Sequence, residues 1–275
     1  MLRRTSLLFS FALTGAVALA ACGDDTDDTV ATTDTGAADT GETDTGETDA
    51  GETDTGADED VVTIGDVSNP DAGGEARCPA GTVIDAWPLN DSVSAGAVTI
   101  DTDADGVVTA TIDASAGGMD GARENPFVYI DLDAGEVVAI TDNESLTDAT
   151  WDIAFKRVVI RTNGGDSGPG GVTMAKSSGV PFADVDGDTD FSAFESDVSF
   201  DQDCVPYVDP IGNILTAINY LNVDNPTGSA SWYSYEGGVS PVADDIYVVR
   251  TADAFYKIEI LGWSSGEYTL QWAEL

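Results

Sequence analysis

A mostly antiparallel, all-β single domain with little helix is the fold class this sequence predicts. Three observations carry it: short apolar runs with period-two alternation, turn signals between them, and scarce three-and-four apolar spacing. Strand-like runs fall at 107–112, 127–132, 136–140, 150–162, 245–251, 254–262 and 267–273. Asp133-Ala134-Gly135, Ala252-Asp253 and Ser264-Ser265-Gly266 each sit between two such runs and predict tight hairpins. The last three runs therefore predict a C-terminal antiparallel meander. In the final run Tyr268, Leu270 and Trp272 alternate with Thr269, Gln271 and Ala273, which predicts one buried and one exposed face. Only Ile211, Ile214, Leu215, Ile218 and Leu221, between Pro210 and Pro226, follow helical spacing. Asn residues and Thr216 weaken that pattern, so a wrapped loop fits it nearly as well.

The chain divides into three parts, 1–21, 22–76 and 77–275. Arg3 and Arg4 precede an apolar run over 7–18, too short to span a bilayer as a mature helix, and then Leu19-Ala20-Ala21-Cys22. This is the pattern of a bacterial lipoprotein signal, and it predicts lipidation of Cys22. Gly23 follows, so the inner-membrane retention signal of an Asp at that position is absent. Outer-membrane sorting, facing either the periplasm or the surface, is the expectation. From Gly23 to about residue 60 the chain is nearly all Thr, Asp, Glu, Gly and Ala, with the near-repeat Thr-Asp-Thr-Gly-Glu at 43–47. Such a segment cannot bury enough apolar surface to offset ordering entropy, and it predicts a disordered, self-repelling acidic tether. Residues 61–64 are a candidate short docking strand. The remainder, 77–275, is long enough to bury one substantial core.

The sequence holds 51 Asp and Glu against 10 Lys and Arg, a formal net charge of -41. A molecule this acidic repels phosphate and gains nothing from counterion release, which excludes nucleic acid as a partner. Histidine is absent from all 275 residues. Triad hydrolysis and histidine-ligated zinc are thereby excluded, and no residue pattern supports an enzyme. With Cys22 assigned to lipid, Cys78 and Cys204 remain as an even pair in an exported, oxidising setting, and they are expected to form a disulfide.

Asp184, Asp186, Asp188, Asp190 and Glu195 place oxygens at calcium-loop offsets, although Thr189 stands where such a loop's sharp turn wants glycine. Calcium binding and a plain acidic loop are both compatible with this spacing. A second run, Asp101, Asp103, Asp105 and Gly106, has the glycine but offers Ile112 at the twelfth position, and a hairpin turn is the better reading.

The stretch Trp151-Asp152-Ile153-Ala154-Phe155-Lys156-Arg157, then 158–160, then Arg161-Thr162-Asn163-Gly164-Gly165, resembles the HmuY family of haem-binding bacterial lipoproteins. The glycine-rich continuation over 166–172 is similar to that family too, as are Tyr247-Val248-Val249-Arg250-Thr251, Tyr256-Lys257 and Ala273-Glu274-Leu275. The resemblance covers most of 107–275. It implies one mostly β domain, exported on a lipid anchor and associated with haem capture; an outer-membrane receptor is a candidate partner.

Read without the family, 151–161 is one continuous strand feeding a mobile loop. Regular alternation puts Trp151, Ile153, Phe155, Arg157, Val159 and Arg161 on one face. That face suits a pocket for an amphiphile with carboxylates, and equally a core strand whose arginines reach solvent. Lys156, Arg157, Arg161 and Lys176 cluster half of the basic residues left after processing, and they are the candidate site for an anion such as a propionate. The family's His or Met ligation leaves only thioethers here. Met119 and Met174 are the candidate haem ligands, each expected in a glycine-rich loop, against the reading of a loop methionine covering an apolar patch. Tyrosine is the alternative ligand, and Tyr233, Tyr235 and Trp232 are otherwise candidates for stacking on the ring. The competing reading is a structural or adhesive surface lipoprotein of the same fold that has lost haem binding, stabilised by calcium if by any metal.

Mass spectrometry of the mature protein is expected to show an N-terminal Cys22 carrying diacylglycerol. A free Cys22 thiol would refute the anchor.

Overall fold

The computed structural model describes residues 78–87, 89–116, 118, 125–208, 232–235 and 237–275. The expected signal, tether and docking strand, the apolar spacing at 211–221 and Met119 lie outside the described residues. Among the described residues no helix is long and apolar enough to cross a membrane.

Six strands form one antiparallel sheet: β1 (Val98–Thr102), β2 (Val108–Asp113), β7 (Thr173–Ser178), β10 (Asp245–Arg250), β11 (Phe255–Ser264) and β12 (Glu267–Glu274). Their order is β1-β2-β12-β11-β10-β7. A second antiparallel sheet runs β4-β3-β5-β6, with β3 Val128–Asp131, β4 Glu136–Val138, β5 Ile153–Lys156 and β6 Val159–Thr162. A small hairpin, β8 (Tyr233–Tyr235) with β9 (Val239–Pro241), lies against β11. The helices are short: α1 is Ala80–Ala86 and α2 is Asp142–Ser145, the latter closed by a capping box between Thr141 and Glu144.

The main core lies between the two larger sheets. Ile112, Met174, Tyr247, Val249, Ile258, Leu270 and Trp272 from the first meet Val128, Ile130, Ile153, Phe155 and Ile160 from the second. Each fully buried large aliphatic or aromatic side chain of this kind contributes roughly 1.5–3 kcal/mol. The expected meander is present as β10-β11-β12, and Tyr268, Leu270 and Trp272 are the buried face of β12. All three expected turns join paired strands. At the β11–β12 turn both Ser265 (φ 55°) and Gly266 (φ 95°) take left-handed backbone, which suits the twist of a two-residue hairpin. The aspartate run at 101–106 is the expected hairpin, with Asp103 Oδ1 accepting from the amides of Asp105 and Val107, both at 2.9 Å.

Three expectations are corrected. Residues 150–162 do not make one strand: the chain reverses at Arg157, whose φ is 57°, and β6 folds back on β5. Pairing of Phe155 with Ile160 and of Ala154 with Arg161 sends Ile153, Phe155 and Ile160 inward, while Ala154, Val159 and Arg161 take the outer face with Trp151. The segment after β6 is not a free loop. Asn163 is fully buried; its Nδ2 donates to the carbonyls of Trp151 (2.6 Å) and Asp148 (3.0 Å), and its Oδ1 accepts from the Gly170 amide (3.0 Å). A Cβ on Gly168 would lie 2.1 Å from Asn163 Oδ1, so the glycine is required by close packing around that amide. Third, Met174 is in β7, opposite Val249, not in a loop.

Cys78 and Cys204 form the expected disulfide, with Cα atoms 5.5 Å apart and a sequence separation of 126. It ties α1 to the segment carrying Phe200, on which Trp87 stacks at 6.1 Å. Replacing both cysteines by serine should lower stability by about 5 kcal/mol on the chain-entropy model. A urea midpoint unchanged in the double variant would show that the crosslink restricts nothing in the unfolded chain.

Candidate functional site

On the outer face of the four-stranded sheet, Arg161 lies across Ala154 from Tyr129, because Ala154 pairs with both. The small side chain leaves room for the guanidinium to turn over the sheet. Its Cζ sits 4.7 Å from the Trp87 ring, 4.9 Å from Phe127 and 5.6 Å from Trp151, and its Nη2 donates to the Ser167 carbonyl at 2.6 Å. Arg161 is completely buried. Lys156 stands beside it, its Nζ 5.5 Å from the same Phe127 ring. Burial pushes the Lys156 ammonium below its ordinary pKa, Asp142 opposes this, and the charges of Arg161 and Arg157 add to it. Asp142 is itself buried and occupied: Oδ1 accepts from the Phe127 amide (2.8 Å) and the Tyr129 hydroxyl (2.9 Å), and Oδ2 from the Asn90 amide (3.2 Å).

The other expected haem contacts are dispersed. Met174 is fully buried in the main core, and its backbone bridges Glu195 through two 2.8 Å hydrogen bonds. A thioether there cannot meet a haem face without opening the core. Lys176 is spent on Asp245 at 2.5 Å. Arg157 is in the β5–β6 turn, at the far end of β6 from Arg161. The four residues do not form one pocket, because the β5–β6 reversal and the assignment of β7 to the other sheet separate them.

A different grouping forms at the Arg157 turn. Trp263 Nε1 donates to the Arg157 carbonyl (3.2 Å) and Trp232 Nε1 to the Val158 carbonyl (3.0 Å), so two indoles fasten the turn. Rings then follow in contact from the core outward: Phe155 to Tyr268 (5.1 Å), Tyr268 to Trp232 (5.2 Å) and Trp232 to Tyr233 (4.8 Å). Tyr235, two residues on, is 73% exposed. Trp232, expected to stack on a ligand, is instead an interior member of this row. Trp87 and Trp263 carried no signal in the sequence, since each contributes through a partner more than 70 residues away.

The calcium loop does not assemble. Asp184, Asp186, Asp188, Asp190 and Glu195 are exposed, and Asp186 Oδ1 turns inward on its own loop, accepting from the Asp188 amide (3.0 Å) and the Thr189 hydroxyl (3.2 Å). Glu195 is held by its backbone against Met174. Among the described residues the carboxylates that do converge are Asp131, Asp133 and Asp152, within 4.8 Å. Burial raises the Asp152 pKa to about 7, with the charges of Asp133 and Asp131 adding to it and hydrogen bonding from the Leu132 amide (2.7 Å) opposing it.

The HmuY protein family model matches residues 123–272, more than half of the chain, and the chain belongs to that family. No curated protein matches the chain.

A carboxyl whose folded pKa lies above its unfolded value binds its proton more tightly in the native state. Asp152 therefore stabilises the fold most below about pH 4, and this contribution is lost as pH rises to about 7. Urea denaturation of the wild type should show stability falling across that window, with a shallower slope in Asp152→Asn. Equal slopes in the two proteins would remove Asp152 as the cause.

Proposed function

We propose that this protein is a non-catalytic haem-capture lipoprotein, anchored to the outer membrane through Cys22, that passes its ligand to an outer-membrane receptor. Membership of the HmuY family supports the ligand class. The observation that carries this reading is the row of rings running out from Tyr268 through Trp232 to Tyr233, beside the Arg157 turn, with exposed Tyr235 two residues further along β8. A flat amphiphile needs an apolar face to stack on and a cation for its acidic edge, and these residues offer both.

Haem, when bound, supplies a planar apolar macrocycle with propionates and an iron that takes an axial donor. The donor set fits stacking and charge pairing better than thioether ligation. Tyr233 takes the ring face, and half-buried Arg157 takes a propionate. The hydroxyl of exposed Tyr235 is the oxygen assigned to the iron. Met174 has no part, being sealed between the sheets.

The lack of histidine and the burial of Met174 favour a second reading, a surface lipoprotein of this fold with structural or adhesive work and no haem. Hemin titration of the mature protein decides between them. A shifted and sharpened Soret band is expected, with Tyr235→Ala weakening affinity roughly tenfold, about 1.4 kcal/mol, and Met174→Leu leaving it unchanged. A Soret band identical to that of free hemin would leave the second reading.

A further inference from the structure

Lys176 and Asp245 meet across neighbouring strands. In the β7–β10 register Lys176 lies opposite Tyr247 and Asp245 opposite Ser178, so the two charged residues are diagonal neighbours on one face of the sheet. Met174 and Val249, paired two residues along on that face, belong to the main core. The Lys176 and Asp245 side chains are 14% and 6% exposed, and Lys176 Nζ is 2.5 Å from Asp245 Oδ2.

As an ion pair this contact is poorly made. Burying two charges is repaid only when hydrogen bonds also satisfy both groups. Asp245 Oδ1 accepts from the Ser178 hydroxyl at 2.7 Å. Oδ2, however, has no hydrogen-bond partner among the described residues, because the ammonium beside it lies off the direction that a hydrogen bond requires. Nζ also sits 5.9 Å from the centroid of the Tyr247 ring, and Tyr247 is fully buried. Burial first, and then the Asp245 charge, push the Tyr247 pKa up, so its phenol keeps its proton. An amide between the two side chains would remove both buried charges at once.

We propose that Lys176 and Asp245 condense in the folded chain to an isopeptide bond between Nζ and Cγ, fastening the edge strand β7 to β10. The ammonium first passes a proton to the carboxylate, giving an amine and a carboxylic acid. The amine lone pair forms the N–Cγ bond, the Cγ–Oδ2 bond breaks, and Oδ2 leaves as water with the acid proton and one amine proton. No oxidant, reductant or further reactant is consumed. Ser178 donates to Oδ1, where negative charge develops, and the Tyr247 phenol is a buried proton donor for the departing oxygen. Holding the two groups in contact makes the step intramolecular, which replaces chemical activation of the carboxyl. The bond is independent of haem, and unlike the Cys78–Cys204 crosslink it survives reductant.

Trypsin reads this bond directly, because Lys176 is the sole basic residue between Arg161 and Arg250. An acylated lysine is not cut. After reduction of Cys204, the mature protein should yield residues 162–250 as one fragment, lighter by one water than its sequence. Lys176→Met removes the nucleophile and should give the same fragment at full mass. Asp245→Ala removes the carboxyl and should restore cleavage, giving 162–176 and 177–250. Those two fragments from the wild type, each at full mass, would overturn the proposal, and this readout requires no variant to fold. Loss of water persisting in Lys176→Met would overturn it as well.

Discussion

The burial of the Arg161 guanidinium is the constraint around which much of this domain is arranged. A permanently charged group cannot be neutralised by losing its proton, so everything that covers it must compensate it. Trp87, Phe127 and Trp151 supply ring faces, and desolvated contacts of this kind are worth about 2 kcal/mol or more. The Ser167 carbonyl supplies one acceptor. Three separate stretches of chain are thereby gathered over one strand: α1 behind the disulfide, β3 with its preceding turn, and the glycine-rich segment.

Arg161 reaches that position because of one reversal. Had 150–162 continued straight, Arg161 would share a face with Phe155 and point into the main core. The left-handed backbone at Arg157 turns the strand on itself and swaps the faces. The same turn is held by Trp232 and Trp263, so the outer cradle and the aromatic end are mechanically joined through β6. In this member of the HmuY family Tyr233 lies at the outer end of the aromatic row, and the one methionine among the described residues, Met174, serves the core.

Much of the architecture was legible in the residues. Period-two alternation in 267–273 specified both the strand and its buried face, since a slip of one residue would expose Tyr268, Leu270 and Trp272 together. The glycine and aspartate turns were equally readable, because left-handed backbone demands few residue types. Strand β1 was missed, its Val98-Thr99-Ile100 too brief and too exposed to stand out. The candidate site was less legible. Arginines and a methionine close together in sequence suggested one pocket, yet sheet assignment divides them between two layers. The acidic spacing at 184–195 matched a calcium loop, but Asp186 Oδ1 turns onto the amide of Asp188 and the hydroxyl of Thr189, and the five carboxylates are not gathered.

By itself the sequence determined the all-β class, the C-terminal meander and the pairing of Cys78 with Cys204, because alternation, turn chemistry and cysteine count act locally or by elimination. Tertiary structure alone decided which cations are buried, which methionine is core, and which aromatics reach the surface. Those outcomes depend on contacts between residues far apart in the chain, and a strand's period of two records which side chains share a face without saying what that face will meet.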